Sequence, residues 1–393
     1  MEIQIYEPGE DSFLLADEVK KHAKGKVLEI GCGSGILSDT AASLKKVKSV
    51  IAVDINPHVI KYMKHKDKSR LKFRKKITVV KSDLFSNVKE KFDTIIFNPP
   101  YLPEDEREPD DWLKKAITGG KKGWEIIERF LERLPDHLNK DGIVLLLFSS
   151  LTNKKKVDDL ISGRVFDYKQ LAMKKLDFEQ LFVYSLKKSK LLHELEKKKL
   201  TNIKKIATGW RGIVYEAKQG KKKIAIKVQK EAGGPNRIKN EVDTLKILNK
   251  NKIGPKFLFS DSNFFAMEFV HGQMILDYVR THDKPQIKKV LKEVLRQCYV
   301  MDKLMINKEE MHHPIKHIII NDRTKLIDFE RCRKTISPKN VTQFAQFLSS
   351  TNFLIILRNK GFAINPDKMR RQARVYKGNM NEKTLEKLYK EIK

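Results

Sequence analysis

Short apolar runs alternate with helical segments between residues 26 and 150, and this alternation constrains the fold more than any other feature of the chain. Apolar runs separated in this way are typical of an α/β fold, in which a parallel sheet is covered by helices on both faces. A further segment with alternating polarity, 178–188, is predicted to close the sheet. The predicted strands before it are, in chain order, 26–31, 49–55, 77–85, 92–98 and 142–150.

A charged stretch separates this region from a second one of different texture. Residues 189–200 are predicted to form a charged helical connector, so that one domain spans 1–188 and another spans 201–393. The second domain begins with strands around a glycine-containing turn and continues into a long helix over about 286–304. Its last stretch, 365–393, is polar and predicted to be helical.

The 393 residues carry a net charge of +31, with 81 Lys and Arg against 50 Asp and Glu. Such a surplus attracts polyanions or an acidic partner over long distances. A solvated basic surface is an equally good explanation, because the lysines are spread along the whole chain instead of being gathered in one arm. The charge therefore leaves both interpretations open.

Cysteine spacing and hydropathy exclude several classes of protein. Cys32, Cys298 and Cys332 are far apart in sequence, which indicates neither a zinc site nor a disulfide framework. No apolar run approaches the roughly 20 residues that a membrane span requires, and the first residues do not resemble a secretory signal. We expect a cytoplasmic protein that has no membrane partner.

Glycines and acids stand at the ends of three successive predicted strands. An acid after the second strand is suited to bind ribose hydroxyls, and an acid after the third can accept a hydrogen bond from an adenine amino group. Each acid alone is most often a helix cap or a surface charge, but ligands of such sheets bind outside the carboxyl ends of the strands. The predicted cofactor-binding residues here are Glu29, Gly31, Gly33, Gly35, Asp54, Asp83 and Leu84.

The stretch Asn98-Pro99-Pro100-Tyr101 ends the fourth strand beside the same crevice. Two consecutive prolines fix the backbone and have no N–H, so this is a rigid turn whose carbonyl oxygens stay free. Together with the Asn98 side chain, these oxygens suggest a grip on a planar group that carries N–H bonds. Tyr101 would pack against that group, although a role in core packing is open for Tyr101 and a turn cap is open for Asn98.

At this point the chain resembles the class I (Rossmann-like) S-adenosylmethionine-dependent methyltransferases. More closely, it resembles the HemK-type branch, in its eukaryotic and archaeal subgroup, which N5-methylates glutamine in peptide release factors. The resemblance covers roughly residues 1–188. The motifs that carry it are, in order, YEPGEDSFLLADEV, VLEIGCGSGILS, VDINP, SDLF, NPPYLP and ITGGKKGWEIIERFL.

The resemblance implies S-adenosylmethionine as cofactor and the Gly-Gly-Gln loop of a class-1 release factor as substrate. It also implies that Ser12, Glu29 and Asn98 contact the cofactor, and Ser12 is equally suited to cap the helix that follows it. N6-adenine methyltransferases of DNA or RNA share the Asn-Pro-Pro-Tyr stretch, so they are the alternative. No segment reads as a base-recognition domain or a base-flipping apparatus, which disfavours that alternative.

Methyl transfer to an amide explains the choice of residues. The Asn98 oxygen and the carbonyl of Pro99 or Pro100 are expected to accept both amide hydrogens and to aim the nitrogen lone pair at the methyl group. Correct placement can lower a barrier by about 7–11 kcal/mol. The resemblance further implies a small zinc-ribbon activator on an apolar sheet edge, for which strand 77–85 is a candidate. The basic charge would suit a release factor near ribosomal RNA.

The second domain resembles the small α+β protein-kinase-like domains of RIO and Bud32-type atypical kinases. Gly209 and Gly212 lie in a stretch that looks like the loop covering the phosphates. Lys227 would pair with the phosphates, Glu241 would be its partner on a helix, and Asp328 would hold Mg²⁺. The resemblance therefore implies a site for Mg-ATP.

This domain departs from the kinase pattern at several positions. The first loop glycine is replaced by Ala207, and the glycine after Asp328-Phe329 is replaced by Glu330. An ungapped alignment gives the catalytic-base position to His312 and the metal-binding asparagine position to His317. We therefore expect an ATP-binding regulator, docking module or ATPase instead of an ordinary protein kinase.

Overall fold

The chain divides into two compact units in the computed structural model. The first comprises Met1–Lys204 with Lys218–Gly220, and the second comprises Lys205–Ala217 with Lys221–Lys393. The sequence-based division placed the boundary a few residues earlier. The structure describes residues 5–66, 72–105, 107, 111–210, 212–230 and 237–393.

The first unit is built around a mixed seven-stranded sheet with strand order β3-β2-β1-β4-β5-β7-β6. The strands from β3 to β5 are parallel, whereas β7 runs antiparallel to both β5 and β6. Its elements are α1 (Glu10–His22), β1 (Gly25–Ile30), α2 (Ile36–Ser43), β2 (Val47–Asp54), α3 (Pro57–His65), β3 (Ile77–Lys81), β4 (Phe92–Phe97), α4 (Trp112–Ile117), α5 (Glu125–His137), β5 (Leu138–Ser149), α6 (Lys154–Gly163), β6 (Phe166–Lys175), β7 (Gln180–Lys188) and α7 (Lys190–Lys197).

The predicted parallel sheet is confirmed for its first five strands, and the structure adds an edge strand that the sequence analysis missed. In β6 only Phe166 is buried and most other residues are exposed, so the segment lacks the apolar signal of a core strand. The third strand ends at Lys81, earlier than predicted, and Asp83 lies in the turn after it. The closing strand begins at Gln180, so Phe178 and Glu179 belong to the β6–β7 loop.

Two local expectations change in the structure. Ser12 does not cap α1, because the helix begins at Glu10 with Gly9 as its N-cap residue. The connector forms α7, whose Leu192 and Leu195 are fully buried. The neighbouring Lys188 donates to the Pro135 carbonyl oxygen at 2.8 Å. The connector is therefore packed and is not a free linker.

The second unit combines a five-stranded sheet, with order β11-β12-β10-β9-β8, and a larger helical part. The predicted long helix and helical tail are confirmed as α10, α13 and α14. No helix in the described part of the chain is long and apolar enough to cross a bilayer. The elements are β8 (Leu200–Thr208), β9 (Gly212–Gln219), β10 (Lys222–Gln229), α8 (Arg237–Lys250), β11 (Phe257–Ser260), β12 (Phe264–Glu268), β13 (Gln273–Met274), α9 (Ile275–Thr281), α10 (Lys284–Lys303), β14 (Ile306–Lys308), β15 (Ile318–Ile320), β16 (Thr324–Leu326), β17 (Cys332–Lys334), α11 (Asn340–Leu348), α12 (Thr351–Asn359), α13 (Pro366–Gly378) and α14 (Glu382–Glu391).

Candidate active site

A cavity of about 670 Å³ opens in the first unit where β1, β2 and β4 end. Gly35 does not line it: this glycine is the N-cap residue of α2, with φ 82°, and it approaches Met63 so closely that a Cβ would clash. The structure brings the other predicted residues of this domain together in the cavity wall, namely Ser12, Glu29, Gly31, Gly33, Asp54, Asp83, Leu84, Asn98, Pro99, Pro100 and Tyr101.

The acids at the ends of β1 and β2 are buried and hydrogen-bonded. Glu29 accepts a short hydrogen bond from the Ser38 hydroxyl, and burial raises the pKa of Glu29 to about 8. Asp54 accepts from the backbone N–H of Gly33 at 3.1 Å and of Asn56 at 2.9 Å. Asp54 therefore has two roles: it holds the glycine-rich turn after β1, and it lines the cavity. Burial also raises its pKa.

The acid after β3 has a partner that the sequence analysis did not identify. Arg129 on α5 donates to Asp83 Oδ2 at 2.6 Å, and both residues line the cavity. Their side chains are about half exposed, so the pair contributes little to stability. Arg129 lies within the quoted motif ITGGKKGWEIIERFL but was not predicted as a site residue, because nothing in the sequence shows that α5 faces the end of β3.

The Asn98 side chain is held in one orientation. Its Nδ2 donates to Asp11 Oδ2 at 2.8 Å, and Tyr6 Oη donates to the same oxygen at 3.2 Å. An ionised carboxylate only accepts hydrogen bonds, so the amide must present its NH₂ group to Asp11 and its oxygen to the opposite side. Asn98 Oδ1 is buried, and no donor among the described residues reaches it.

The two residues that fix this orientation were within the quoted N-terminal motif but were not predicted as site residues. Asp11 is 5% exposed and also accepts from the backbone N–H of Ser12 at 2.6 Å. Burial, followed by the Asp11 carboxylate, raises the pKa of Tyr6 to about 12. Tyr6 therefore stays a neutral donor, and Asp11 and Tyr6 act as positioning residues for Asn98.

The glycine-rich segment after α4 supports the Asn-Pro-Pro-Tyr turn. The backbone N–H of Tyr101 donates to the Ile117 carbonyl oxygen at 3.1 Å. A Cβ on Gly119 would lie 2.6 Å from the Pro100 carbonyl oxygen, and a Cβ on Gly123 would lie 2.6 Å from the Tyr101 carbonyl oxygen. Both approaches are too close for any side chain, which explains why these two motifs occur together.

In the second unit, three of the predicted nucleotide-site residues form one ionic cluster. Lys227 Nζ lies 2.8 Å from Glu241 Oε2, 2.8 Å from Asp328 Oδ1 and 3.2 Å from Glu330 Oε2. Burial alone would lower the pKa of Lys227, but Glu241 and Asp328 outweigh it and raise that pKa. Burial likewise opposes ionisation of Asp328, yet Lys227 lowers its pKa to about 2.

The predicted glycines lie at the β8–β9 turn, where the Gly209 N–H donates to the Gly212 carbonyl oxygen at 2.8 Å. A Cβ on Gly212 would be 3.4 Å from Lys227 Cε, so this glycine lies against the cluster. The described residues leave a cavity of about 10 Å³ beside Lys227. That volume suits one water molecule.

Among the described residues, the expected base position makes no hydrogen bond or ion pair with this cluster. His312 is exposed, and its Nδ1 lies 2.9 Å from the Glu309 carbonyl oxygen. Instead, the buried Lys308 donates from Nζ to the Asp328 carbonyl oxygen and lies 3.2 Å from Glu310 Oε2. Sequence reasoning missed Lys308, because one lysine among so many carries no signal of burial.

The fold and the cavity together define a class of protein: an α/β enzyme that binds a nucleoside-containing cofactor at the carboxyl ends of a largely parallel sheet. The family model described as "Methyltransferase small domain" matches residues 9–179. Together with the sheet, this match indicates the class I methyltransferase fold, for which S-adenosylmethionine is the expected cofactor.

Similar proteins indicate which branch of the methyltransferases the chain belongs to. A putative protein N5-glutamine methyltransferase of Methanocaldococcus jannaschii is 42% identical over 181 residues, which are 46% of this chain and 90% of that protein. The Homo sapiens methyltransferase HEMK2 is 30% identical over 39% of this chain and 75% of its own length. A release factor glutamine methyltransferase of Borreliella burgdorferi is 31% identical over 35% of this chain and 51% of its own length. The chain belongs to the protein N5-glutamine methyltransferase family, and it is an S-adenosylmethionine-dependent enzyme.

Proposed function

We propose that the chain, in the cytoplasm, transfers a methyl group from S-adenosylmethionine to the side-chain nitrogen of the glutamine in the Gly-Gly-Gln loop of a class-1 release factor. The observation that carries this proposal is the buried Asn98 Oδ1, which has no donor among the described residues. A buried acceptor without a donor is costly, so it favours a ligand that brings an N–H group. The names of the archaeal and bacterial relatives support the same acceptor.

The chemistry requires an amide nitrogen to become a nucleophile, although its lone pair is delocalised into the carbonyl. Asn98 Oδ1 accepts one N–H of the substrate amide and the Pro99 carbonyl accepts the other, which turns the lone pair toward the methyl donor. Pro99 is favoured over Pro100, because the Pro100 carbonyl oxygen lies against Gly119. Bound S-adenosylmethionine supplies an electrophilic methyl group, and Tyr101 packs on the flat amide. The proton leaves after the methyl arrives, so no strong base is required.

The charge beside Asn98 suits a protein acceptor. Asp11 contacts Asn98 directly, and Glu179 lines the same cavity. Carboxylate oxygens accept hydrogen bonds, which suits a glycine-flanked glutamine whose backbone offers N–H groups.

The test offers labelled S-adenosylmethionine to the full chain with three acceptors: the release factor, a release factor whose Gly-Gly-Gln glutamine is replaced by alanine, and an adenine-containing oligonucleotide. We expect label in the first acceptor only. Label in the oligonucleotide would identify the adenine activity, and label retained by the alanine variant would contradict the glutamine assignment.

We propose further that a small zinc-ribbon activator binds the edge of the sheet at β3. This strand pairs only with β2 in the sheet, and its residues Ile77 and Val79 are partly exposed. Ile55, close by after β2, is 48% exposed. Val79→Lys should abolish stimulation by the activator while leaving S-adenosylmethionine binding unchanged, and stimulation that persists would contradict this assignment.

For the second unit we propose a RIO/Bud32-type kinase-like domain that binds Mg-ATP and serves as a regulator, docking module or ATPase. The contacts of Lys227 with Glu241 and Asp328 support the lysine and metal roles inferred from sequence. Lys227→Met should weaken ATP binding by about tenfold or more, and Asp328→Asn should remove its dependence on Mg²⁺. An unchanged affinity of the Lys227 variant for ATP would contradict the proposal.

A further inference from the structure

A second acceptor without a donor lies in the wall of the same cavity. Glu179 Oε2 is buried, and no donor among the described residues reaches it. Glu179 lies in the β6–β7 loop, where its own carbonyl oxygen accepts from the Leu176 N–H at 2.8 Å. That bond closes the loop at the backbone of Glu179.

The Glu179 carboxylate belongs to the end of the cavity where Asn98 lies. Burial, then Asp11, then Glu179 raise the pKa of Tyr101, and Glu179 also contributes to the raised pKa of Tyr6. Glu179, Tyr6 and Tyr101 all line this cavity, and the Tyr6 hydroxyl donates to Asp11. The neighbouring Phe178 is 93% exposed at the tip of the same loop.

We propose that Glu179 determines acceptor specificity by accepting hydrogen bonds from backbone N–H groups next to the methylated glutamine, an inference that rests on the proposed function. The substrate amide has two N–H bonds, and Asn98 and Pro99 accept both. The Glu179 oxygen is therefore left for a third N–H. Glycines beside a glutamine expose their backbone N–H groups, because no side chain covers them.

The exposed Phe178 offers a second contact to the same peptide, outside the cavity. An aromatic ring at the tip of a fixed loop offers apolar area to a chain whose backbone enters beside it. Glu179 then contacts the peptide inside the cavity, and Phe178 contacts it outside the cavity. Neither contact involves the cofactor, so both act on acceptor binding alone.

The test compares methyl transfer to the release factor by the wild type, Glu179→Ala, Glu179→Gln and the control Asp177→Asn. Asp177 lies in the same loop, is exposed and does not line the cavity. We expect Glu179→Ala to raise KM for the release factor about 10- to 100-fold, since a hydrogen bond to a charged group is lost.

Glu179→Gln keeps a neutral acceptor and should raise KM less. Both variants should keep the affinity for S-adenosylmethionine, and Asp177→Asn should behave as the wild type.

A backbone-modified acceptor separates hydrogen bonding from general charge effects. In a Gly-Gly-Gln peptide, an ester replaces the peptide N–H of each glycine or of the glutamine in turn. One of these ester replacements should weaken methyl transfer by the wild-type enzyme about tenfold. The same replacement should not weaken transfer by the Glu179→Ala variant any further. Equal KM values for wild type and Glu179→Ala, or an additive ester effect, would overturn the inference. If the wild type methylates no glutamine at all, the proposed function itself fails.

Discussion

At the scale of single residues, the site depends on the orientation of one amide. Asn98→Ala removes the acceptor for the substrate N–H, and transfer should fall by at least about 100-fold, as for the loss of a polarising hydrogen bond in an active site. S-adenosylmethionine should still bind with nearly unchanged affinity, which equilibrium titration checks. A variant within tenfold of wild-type activity would refute the role of Asn98.

The positioning role of Asp11 makes a different prediction. Asp11→Asn is nearly isosteric but can donate as well as accept, so the Asn98 amide is free to turn over. We expect kcat to fall about tenfold, while KM for the release factor changes little and cofactor affinity does not change. An unchanged kcat would show that Asp11 does not hold the Asn98 amide.

Burial of Glu29 predicts a pH dependence of stability. Its pKa is about 8 in the folded chain against an ordinary 4.5, so the folded state retains a proton that the unfolded state has lost between these pH values. This contribution to the free energy of unfolding is fully present below about pH 4.5 and is lost as the pH rises to about 8. Glu29→Gln should therefore match the wild type near pH 5 and exceed its Tm near pH 8, measured without cofactor. If the Tm values of the two proteins changed in parallel across this pH range, Glu29 would not be protonated in the folded state.

At the scale of elements, the segment after α4 acts as a support for the Asn-Pro-Pro-Tyr turn. Gly119→Ala would place a methyl group 2.6 Å from the Pro100 carbonyl oxygen and so displace the turn. Such overpacking costs about 1–3 kcal/mol. We expect a lower Tm and a kcat reduced about tenfold, with cofactor affinity retained.

The matched control for this change is Gly378→Ala at the end of α13, where an added Cβ meets no atom within 4 Å. That variant should have wild-type kcat and a Tm no lower than that of the wild type, because alanine has less backbone freedom to lose on folding. If Gly119→Ala also leaves kcat unchanged, the segment does not hold the catalytic turn in place.

At the scale of the whole molecule, the basic charge is unevenly distributed. The helix α13 carries a larger net positive charge than the neighbouring helix α14. The exposed cations of α13 include Arg371 and Arg374, for which no carboxylate partner is found among the described residues, and Asp367 is the sole acid of that helix. In α14, lysines alternate with glutamates along the helix. Arginine binds phosphate in a bidentate way, so if the basic charge serves contact with ribosomal RNA, α13 should contribute more to it than α14.

Charge reversal on the two helices tests this prediction. Arg371→Glu with Arg374→Glu should weaken binding of the full chain to a ribosomal RNA fragment about tenfold or more and flatten its salt dependence. Lys383→Glu with Lys387→Glu on α14 makes the same change in net charge and should weaken binding much less. Equal losses from both pairs would assign RNA binding to overall charge.

Some features of the site followed from the sequence and others did not, for physical reasons. Glycines, prolines and acids at strand ends carry local signals, because φ, missing N–H groups and strand termini are properties of a few adjacent residues. Arg129 and Lys308 carry no such signal, since their roles depend on which helix faces which strand end. The strand β6 was missed because a polar edge strand is recognisable only through its partner β7.

The sequence by itself determined the α/β class, the places of the first five strands along the chain and most of the residues that follow them, because apolar periodicity and turn chemistry are local. Only the tertiary structure decided that Asp11 turns the Asn98 oxygen away from itself, and that Glu179 lines the same cavity as Asn98. Asp11 and Asn98 are 87 residues apart in sequence. Contacts over such separations are selected by the packing of the whole sheet, and no short pattern encodes them.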